Sequence, residues 1–285
     1  MSWEKLIKEK KPLVITGTIN AYSALLAERA GIQAIYLSGG GVANASYGLP
    51  DLAMTSREDV LEDVRRIRSA TELPLLVDID TGWGSALSIS RTIKEMISAG
   101  ASGVHIEDQV SEKRCGHRPN KEIVSSEEMV DRIKAAEDAQ TDDNFLLMAR
   151  TDAFAKGGLQ EVIDRSNAFI EAGAGAIFPE AISTLKDYEE ISKNVSKPIL
   201  ANITEFGMTP LFSHNELAKA GVKIVLHPLS AFRAMSKAAE KVYATLASGG
   251  DHEGLLDKMQ TRDELYDVLD YHMYEEKIDK LFEKN

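Results

Sequence analysis

Two hydrophobic periods alternate along the chain. Short apolar, β-branched runs at Leu13–Thr16, Ala34–Ser38, Leu75–Asp80, Gly103–Glu107, Phe145–Arg150, Ala176–Phe178, Ile199–Ile203 and Ile224–Leu226 have the length and composition of buried strands. Amphipathic stretches separate them. Ile89, Ile93, Met96 and Ile97 form an i, i+4, i+7, i+8 stripe, the mark of one helix face packed on a core. Met129, Val130 and Ile133 repeat the pattern, as do Val162, Ile163, Phe169 and Ile170. Ala30-Gly31-Ile32, Ala99-Gly100-Ala101, Ala172-Gly173-Ala174 and Ala220-Gly221-Val222 stand where a helix would end and a strand begin, with glycine supplying the left-handed cap. Pro12, Pro74 and Pro198 open strands, where a missing N–H does little harm.

Eight such βα units predict a (β/α)8 TIM barrel, a fold that usually takes ~250 residues. A doubly wound open sheet is the runner-up, but no Gly-x-Gly-x-x-Gly follows the first strand. Phe232–Ala247 reads as the last barrel helix of a single domain over residues 1–285. The charged helical tail at 251–285 has Leu265, Leu269, Ile278, Leu281 and Phe282 as its apolar positions. A barrel does not need that tail, so it is expected outside, on another subunit.

Composition narrows the function. The chain is 44% apolar and 27% charged, as expected of a globular protein, and its net charge of −12 argues against a nucleic-acid partner. No apolar run approaches the ~18 residues of a membrane span. One cysteine cannot form an internal disulfide, and the opening residues lack an apolar signal core, so a cytoplasmic protein is expected.

Candidate chemistry collects at the C-terminal ends of the strands, where such barrels carry their sites. The second strand runs into Ser38-Gly39-Gly40-Gly41, with Asp51 beyond; a glycine run of this kind can offer N–H groups to an anion but is more often only a turn. The third ends in Asp78-Ile79-Asp80, two carboxylates expected on one face, whose repulsion a hard divalent cation such as Mg2+ would relieve. The fourth ends in Glu107 and Asp108 and feeds Lys113-Arg114-Cys115-Gly116-His117, which holds the only cysteine. Lys113, Arg114 and a protonated His117 are expected to lower the thiol pKa, although a cysteine by itself is more often a small buried hydrophobe. Arg150, Glu180, Glu205 and Arg233 complete the rim. Two arginines beside a metal suit a small polycarboxylate or a phosphonate. His105 reads as a packed core histidine, and His214 and His227 are unassigned.

These motifs, together with Leu-Pro-Asp, Ala-Arg-Thr-Asp, Phe-Pro-Glu-Ala, Ala-Asn-Ile-Thr-Glu-Phe-Gly and Met-Gln-Thr-Arg in the same order, resemble the isocitrate lyase and phosphoenolpyruvate mutase superfamily nearly end to end. The resemblance is greatest to members that cleave 2-methylisocitrate in propionate breakdown. Isocitrate lyases proper are longer and line the pocket with larger aromatics where this chain has Phe178 and Leu226. The mutases and oxaloacetate hydrolases usually lack the Lys-Arg-Cys-Gly-His loop. His227 departs from the tyrosine that relatives commonly have.

The resemblance implies a retro-Claisen cleavage to pyruvate and succinate. It implies Mg2+, with Mn2+ as the alternative ion, held by Asp78 and Asp80 and through water by Asp51 and Glu107. Cys115, Lys113, His117, Arg150 and Glu180 would be catalytic. Tyr36, Ser38, Gly39, Gly40, Cys115, Gly116, Arg150, Phe178, Glu180, Asn202, Ile203, Thr204, Leu226, Arg233 and Gly250 would meet a small tricarboxylate. The Cys115 loop would close over it. The expected assembly is a homotetramer that exchanges its last barrel helix. Rivals are oxaloacetate or phosphonopyruvate hydrolysis, isocitrate cleavage, or a non-catalytic metabolite-binding barrel.

Overall fold

The computed structural model describes residues 2–118, 120–251 and 253–282. Eight parallel strands, β1 Leu13–Gly17, β2 Ile35–Leu37, β3 Leu75–Asp78, β4 Gly103–Glu107, β5 Leu146–Thr151, β6 Ala176–Pro179, β7 Leu200–Asn202 and β8 Ile224–His227, pair in the order β6-β5-β4-β3-β2-β1-β8-β7. A single bridge between Ile177 and Ile199 brings the two ends of this sheet together, giving a nearly closed barrel. All eight expected runs are strands. The one starting at Leu75 stops two residues early, because Asp80 turns to φ 49 and leaves the sheet.

The helices that follow the strands are α2 Ala21–Arg29, α4 Arg57–Arg68, α5 Ala86–Ser98, α6 Ser126–Asp138, α7 Phe154–Glu171, α8 Leu185–Asn194, α9 His214–Lys219 and α10 Ser230–Ala247. The short turn α3 Gly39–Gly41 precedes α4, and α1 Trp3–Glu9 precedes β1. The apolar stripe of α5 packs as its spacing requires: Ile89, Ile93 and Met96 are fully buried. Gly100 and Gly173 cap α5 and α7 with φ of 93° and 118°, the left-handed region a side chain would resist.

The two-residue period of the strands sorts their side chains into two cores. Ile35, Leu37, Val77, Ile79, Val104, Ile106, Leu147, Ala149, Ile177 and Val225 face the helices. Leu13, Ile15, Tyr36, Leu76, Met148, Phe178, Leu200, Ile224 and Leu226 face inward, with Trp3 and Leu6 of α1 packed among them. Trp3 Nε1 donates to the Ser102 carbonyl at 2.9 Å, just before β4, so α1 plugs the N-terminal end of the barrel. Inner positions further along the same strands are polar and build the site.

The chain divides into two compact units, residues 1–232 and 233–285. In the second unit α11 Arg262–Val268 and α12 Tyr271–Phe282 follow a 3-10 stretch at Glu253–Lys258. Among the described residues, α12 buries no side chain, and Met273, Tyr274, Ile278, Leu281 and Phe282 are exposed. Among the described residues, no helix is long and apolar enough to cross a membrane.

Candidate active site

Strand alternation and three turns bring most of the expected residues together. Asp78 closes β3 facing inward, and its carboxylate accepts the Gly39 N–H at 3.0 Å and the Asp80 N–H at 3.0 Å. The positive φ of Asp80 folds its own carboxylate back beside that of Asp78. A methyl group on Gly39 would lie 3.0 Å from Asp80 Oδ1 and 3.2 Å from Asp78 Oδ2. On Gly40 it would lie 3.1 Å from Asp51 Oδ2. The glycine turn is therefore a backbone cradle fitted to three carboxylates. Ser38 caps that turn without a side-chain hydrogen bond to it.

Lys113 enters this acidic set. Its buried ammonium lies 2.5 Å from Asp80 Oδ1 and 2.8 Å from Asp51 Oδ1. Burial raises the Asp78 pKa, but His105, Lys113 and Arg150 outweigh it and hold the group at about 2. Burial also pushes His105 down to about 4, so at neutral pH that ring is uncharged and the two cations carry the effect. Asp80 goes the other way, to about 6, through burial and the Asp78 charge acting against Lys113. Two buried carboxylates whose charge is shared this unevenly form a donor set for a cation, and all-oxygen donors fit a hard divalent ion. Among the described residues no three His, Cys, Asp or Glu side chains group closely enough to cage an ion alone. Asp78 and Asp80 would hold such an ion together with water and substrate.

Arg150, at an inner position of β5, is the hub of the adjoining wall. Its guanidinium meets Asp152 Oδ2 at 2.9 Å, Glu107 Oε2 at 3.2 Å and Glu180 Oε2 at 3.5 Å, and lies 5.1 Å from the centre of the Phe178 ring. Burial raises the Glu180 pKa, but Arg150 and His117 more than reverse this and keep the carboxylate ionised. Glu107, buried on the same arginine, is pushed well up by desolvation. Asn202 Nδ2 donates to both Glu180 oxygens at 3.3 and 3.4 Å, while Asn202 Oδ1 has no hydrogen-bond partner among the described residues. Thr204 is buried two residues beyond the end of β7. Leu226 faces inward on β8. The Ile203 side chain instead faces the helices, which leaves only its backbone toward the interior.

The cysteine loop packs on this wall through Gly116. A methyl there would fall 2.3 Å from Arg150 Nη2 and 2.7 Å from the Glu180 carboxyl carbon, so only glycine fits. His117 Nδ1 accepts the Met208 N–H at 2.9 Å, which puts the proton of a neutral ring on Nε2, donating to Glu180 Oε1 at 2.8 Å. Cys115 is partly buried, and a cleft of ≈ 910 Å³ lined by Pro50, Asp51, Leu52, Lys113, Cys115 and Arg118 runs beside it. Its thiol departs from the sequence expectation. Burial raises the pKa, the His117 backbone and Arg150 lower it less, and Asp51 and Glu180 add to the rise. Of the flanking cations expected to lower it, Lys113 is neutralised by carboxylates and His117 is turned to Glu180.

His105 is buried as expected, yet it also belongs to the site. Its Nε2 lies 2.9 Å from Tyr36 Oη and 3.5 Å from Asp78 Oδ1. Lys121 and Asp152 also enter the site: the first carries no sequence signal, and the second reads in the sequence only as a strand-end carboxylate. Arg233 and Gly250 belong to the second unit. His214 and His227 pair through their Nε2 atoms at 2.9 Å.

Residues 3–247 match the phosphoenolpyruvate phosphomutase family model. The chain is 59% identical over 285 residues to the 2-methylisocitrate lyase of Shewanella oneidensis, covering 100% of this chain and 98% of that one. Among solved structures, an oxaloacetate acetylhydrolase bound to 3,3-difluorooxalacetate superposes with a TM-score of 0.89 at 28% identity, covering 98% of this chain and 95% of that one. A phosphonopyruvate hydrolase in complex with oxalate and Mg++ gives 0.83 at 29% identity, covering 96% and 95%. The fold and site define a carboxylate-rich α/β barrel of one enzyme class, and the chain belongs to the phosphoenolpyruvate phosphomutase family, within the isocitrate lyase and phosphoenolpyruvate mutase superfamily.

Proposed function

We propose that the chain cleaves 2-methylisocitrate to pyruvate and succinate. The observation that carries this reading is the packing of Gly116 onto Arg150 and Glu180, which brings the only thiol to a wall built for carboxylates. A relative 59% identical over the full chain has that activity in its name. The acidic pair Asp78 and Asp80 would hold Mg2+, with Asp51 and Glu107 acting through water, and Mn2+ is the alternative. Bound there, the ion would supply Lewis-acid polarisation of a hydroxyl and an adjacent carboxylate.

The remaining chemistry falls to the chain. The carbon–carbon bond breaks, its electron pair stays on the succinate carbon, and the substrate hydroxyl loses its proton as it becomes the pyruvate carbonyl. Arg150, Asn202 and Thr204 hold the succinate carboxylates and stabilise the enediolate as its charge grows. The Cys115 thiol then delivers a proton to that carbon; the proton lost from the hydroxyl passes to water in the site, and the thiolate regains a proton from solvent to close the cycle. A thiol held protonated by burial suits this direction of proton flow. Ser38, Gly39 and Gly40 take the pyruvoyl end. Tyr36, Phe178 and Leu226 bound the space for the methyl group, and Glu180 and His117 orient their neighbours. Ile203 would contribute through the backbone.

Pyruvate release from 2-methylisocitrate, assayed with and without EDTA, tests the reading. The expected result is chelator-sensitive release that returns with Mg2+. Hydrolysis of oxaloacetate or phosphonopyruvate with no 2-methylisocitrate cleavage would replace it with a hydrolase. The exposed apolar side chains of α12 support a homotetramer, and the absence of an apolar spanning helix among the described residues is compatible with the cytoplasm. A monomer by light scattering at micromolar concentration would refute the first.

A further inference from the structure

We propose that Lys121 is a positioning residue that ties the backbone of the cysteine loop to the carboxylate frame holding Arg150. Lys121 Nζ donates to the Gly116 carbonyl at 2.6 Å and forms an ion pair with Asp152. Both side chains are buried, 4% and 0% exposed. Behind the ammonium the frame is fixed from three elements. Arg150 donates twice to Asp152, at 2.9 and 3.2 Å, and the Asp152 N–H donates to Asp108 Oδ1 at 2.9 Å. Asp108 is itself held by Thr151 Oγ1 at 2.7 Å and by Arg165 of α7 at 3.2 Å. In front of the ammonium lies Gly116, seated on Arg150 and Glu180 with no room for a methyl group. A compact ammonium with three donors can serve a carboxylate and a carbonyl at once, which a planar guanidinium does less readily.

Lys121 touches none of the groups assigned to bond making. It acts through Gly116, and so on where the adjacent Cys115 sulfur stands relative to Arg150. Its removal leaves Asp152 still paired with Arg150, so no buried carboxylate is stranded and the barrel keeps its frame. The loop alone loses its tie.

The decisive readout is alkylation of Cys115, the only thiol, by iodoacetamide as a function of pH on the full chain without substrate. This arm is independent of the proposed reaction; only an accompanying activity assay rests on it. In Lys121→Met the limiting rate at high pH should rise by ~10-fold, the equivalent of one hydrogen bond to a charged group. Removing a cation raises a thiol pKa and slows alkylation at fixed pH, so a faster limiting rate reports exposure and not ionisation. The melting temperature should stay within a few degrees. Pyruvate release from 2-methylisocitrate should fall in kcat more than KM changes, with partial recovery of both readouts in Lys121→Arg. A folded Lys121→Met with the limiting rate of the parent chain overturns the proposal, whatever its activity. A second measurement needs no variant: under native reductive methylation, Lys121 should label far more slowly than exposed Lys134. Equal labelling also overturns it.

Discussion

The floor and the mouth of the barrel are built from the same strands and behave as opposites. On the floor, Leu13, Ile15, Leu76, Met148, Leu200 and Ile224 interlock with Trp3 and Leu6 and present no charge. One inner position further along, Asp78, His105, Arg150, Glu180 and Asn202 are equally buried but ionic or polar. Burying charges costs more than their pairing returns in most proteins, so the mouth is held in place by its surroundings and not by its own ion pairs. The apolar floor and the outer helix-facing core supply that support. Stability and chemistry are thus separated by a single step of the strand period.

Mutations should reveal the separation in order of size. Asp78→Ala, at the mouth, should lower kcat/KM by ~10³-fold or more, the several kcal/mol expected of a lost metal site. Its melting temperature should fall by only a few degrees, the cost of leaving the Gly39 and Asp80 N–H groups without their acceptor, and undiminished turnover in metal-free buffer would erase the distinction. Leu76→Ala, on the floor, should reverse the pattern: a loss of ~2–5 kcal/mol in denaturant unfolding, with kcat of the folded fraction intact. A fall in kcat without lost stability would mean that the floor shapes the chemistry directly.

Phe178 and Leu226 sit where the two regions meet, and the expected effect there is smaller. Phe178→Trp with Leu226→Phe should shift the ratio of 2-methylisocitrate to isocitrate cleavage by ~10- to 200-fold, the worth of one methyl group in a fitted pocket. The ratio is the quantity to read, since overpacking can depress both activities. An unchanged ratio would locate the methyl elsewhere.

The smallest effect is a pH shift at Cys115. Burial raises its folded pKa, so alkylation should reach half its plateau above the ~8.5 of a free thiol. The folded value lies above the unfolded one, so this group's contribution to stability is present below the ordinary value and is lost as pH rises through the folded one. A midpoint below ~8 would restore the electropositive loop expected from the sequence.

That reversal marks where sequence stops being informative. The barrel was legible because each strand and helix advertises its period locally, and Gly100 and Gly173 cap helices wherever they stand. The carboxylate pair was legible because Asp78 and Asp80 are two apart, although the turn at Asp80 and not strand pleating brings them together. The Cys115 environment was not, since three neighbouring cations say nothing about where each one points. Lys113 goes to Asp80 and Asp51, and the carboxylates whose charge acts on the thiol, Asp51 and Glu180, come from distant parts of the chain. Lys121 was invisible for the same reason: its partner Asp152 lies 31 residues away.

The plug formed by α1 has a consequence for traffic. With Trp3 and Leu6 seated under the inner strand residues, the barrel is a cup with one opening and not a pipe. Two products made inside such a cup must leave by the same route, so the one bound nearer the opening departs first and the deeper one second. Release is then sequential by architecture alone, and the product that leaves last should inhibit competitively against substrate while the first does not.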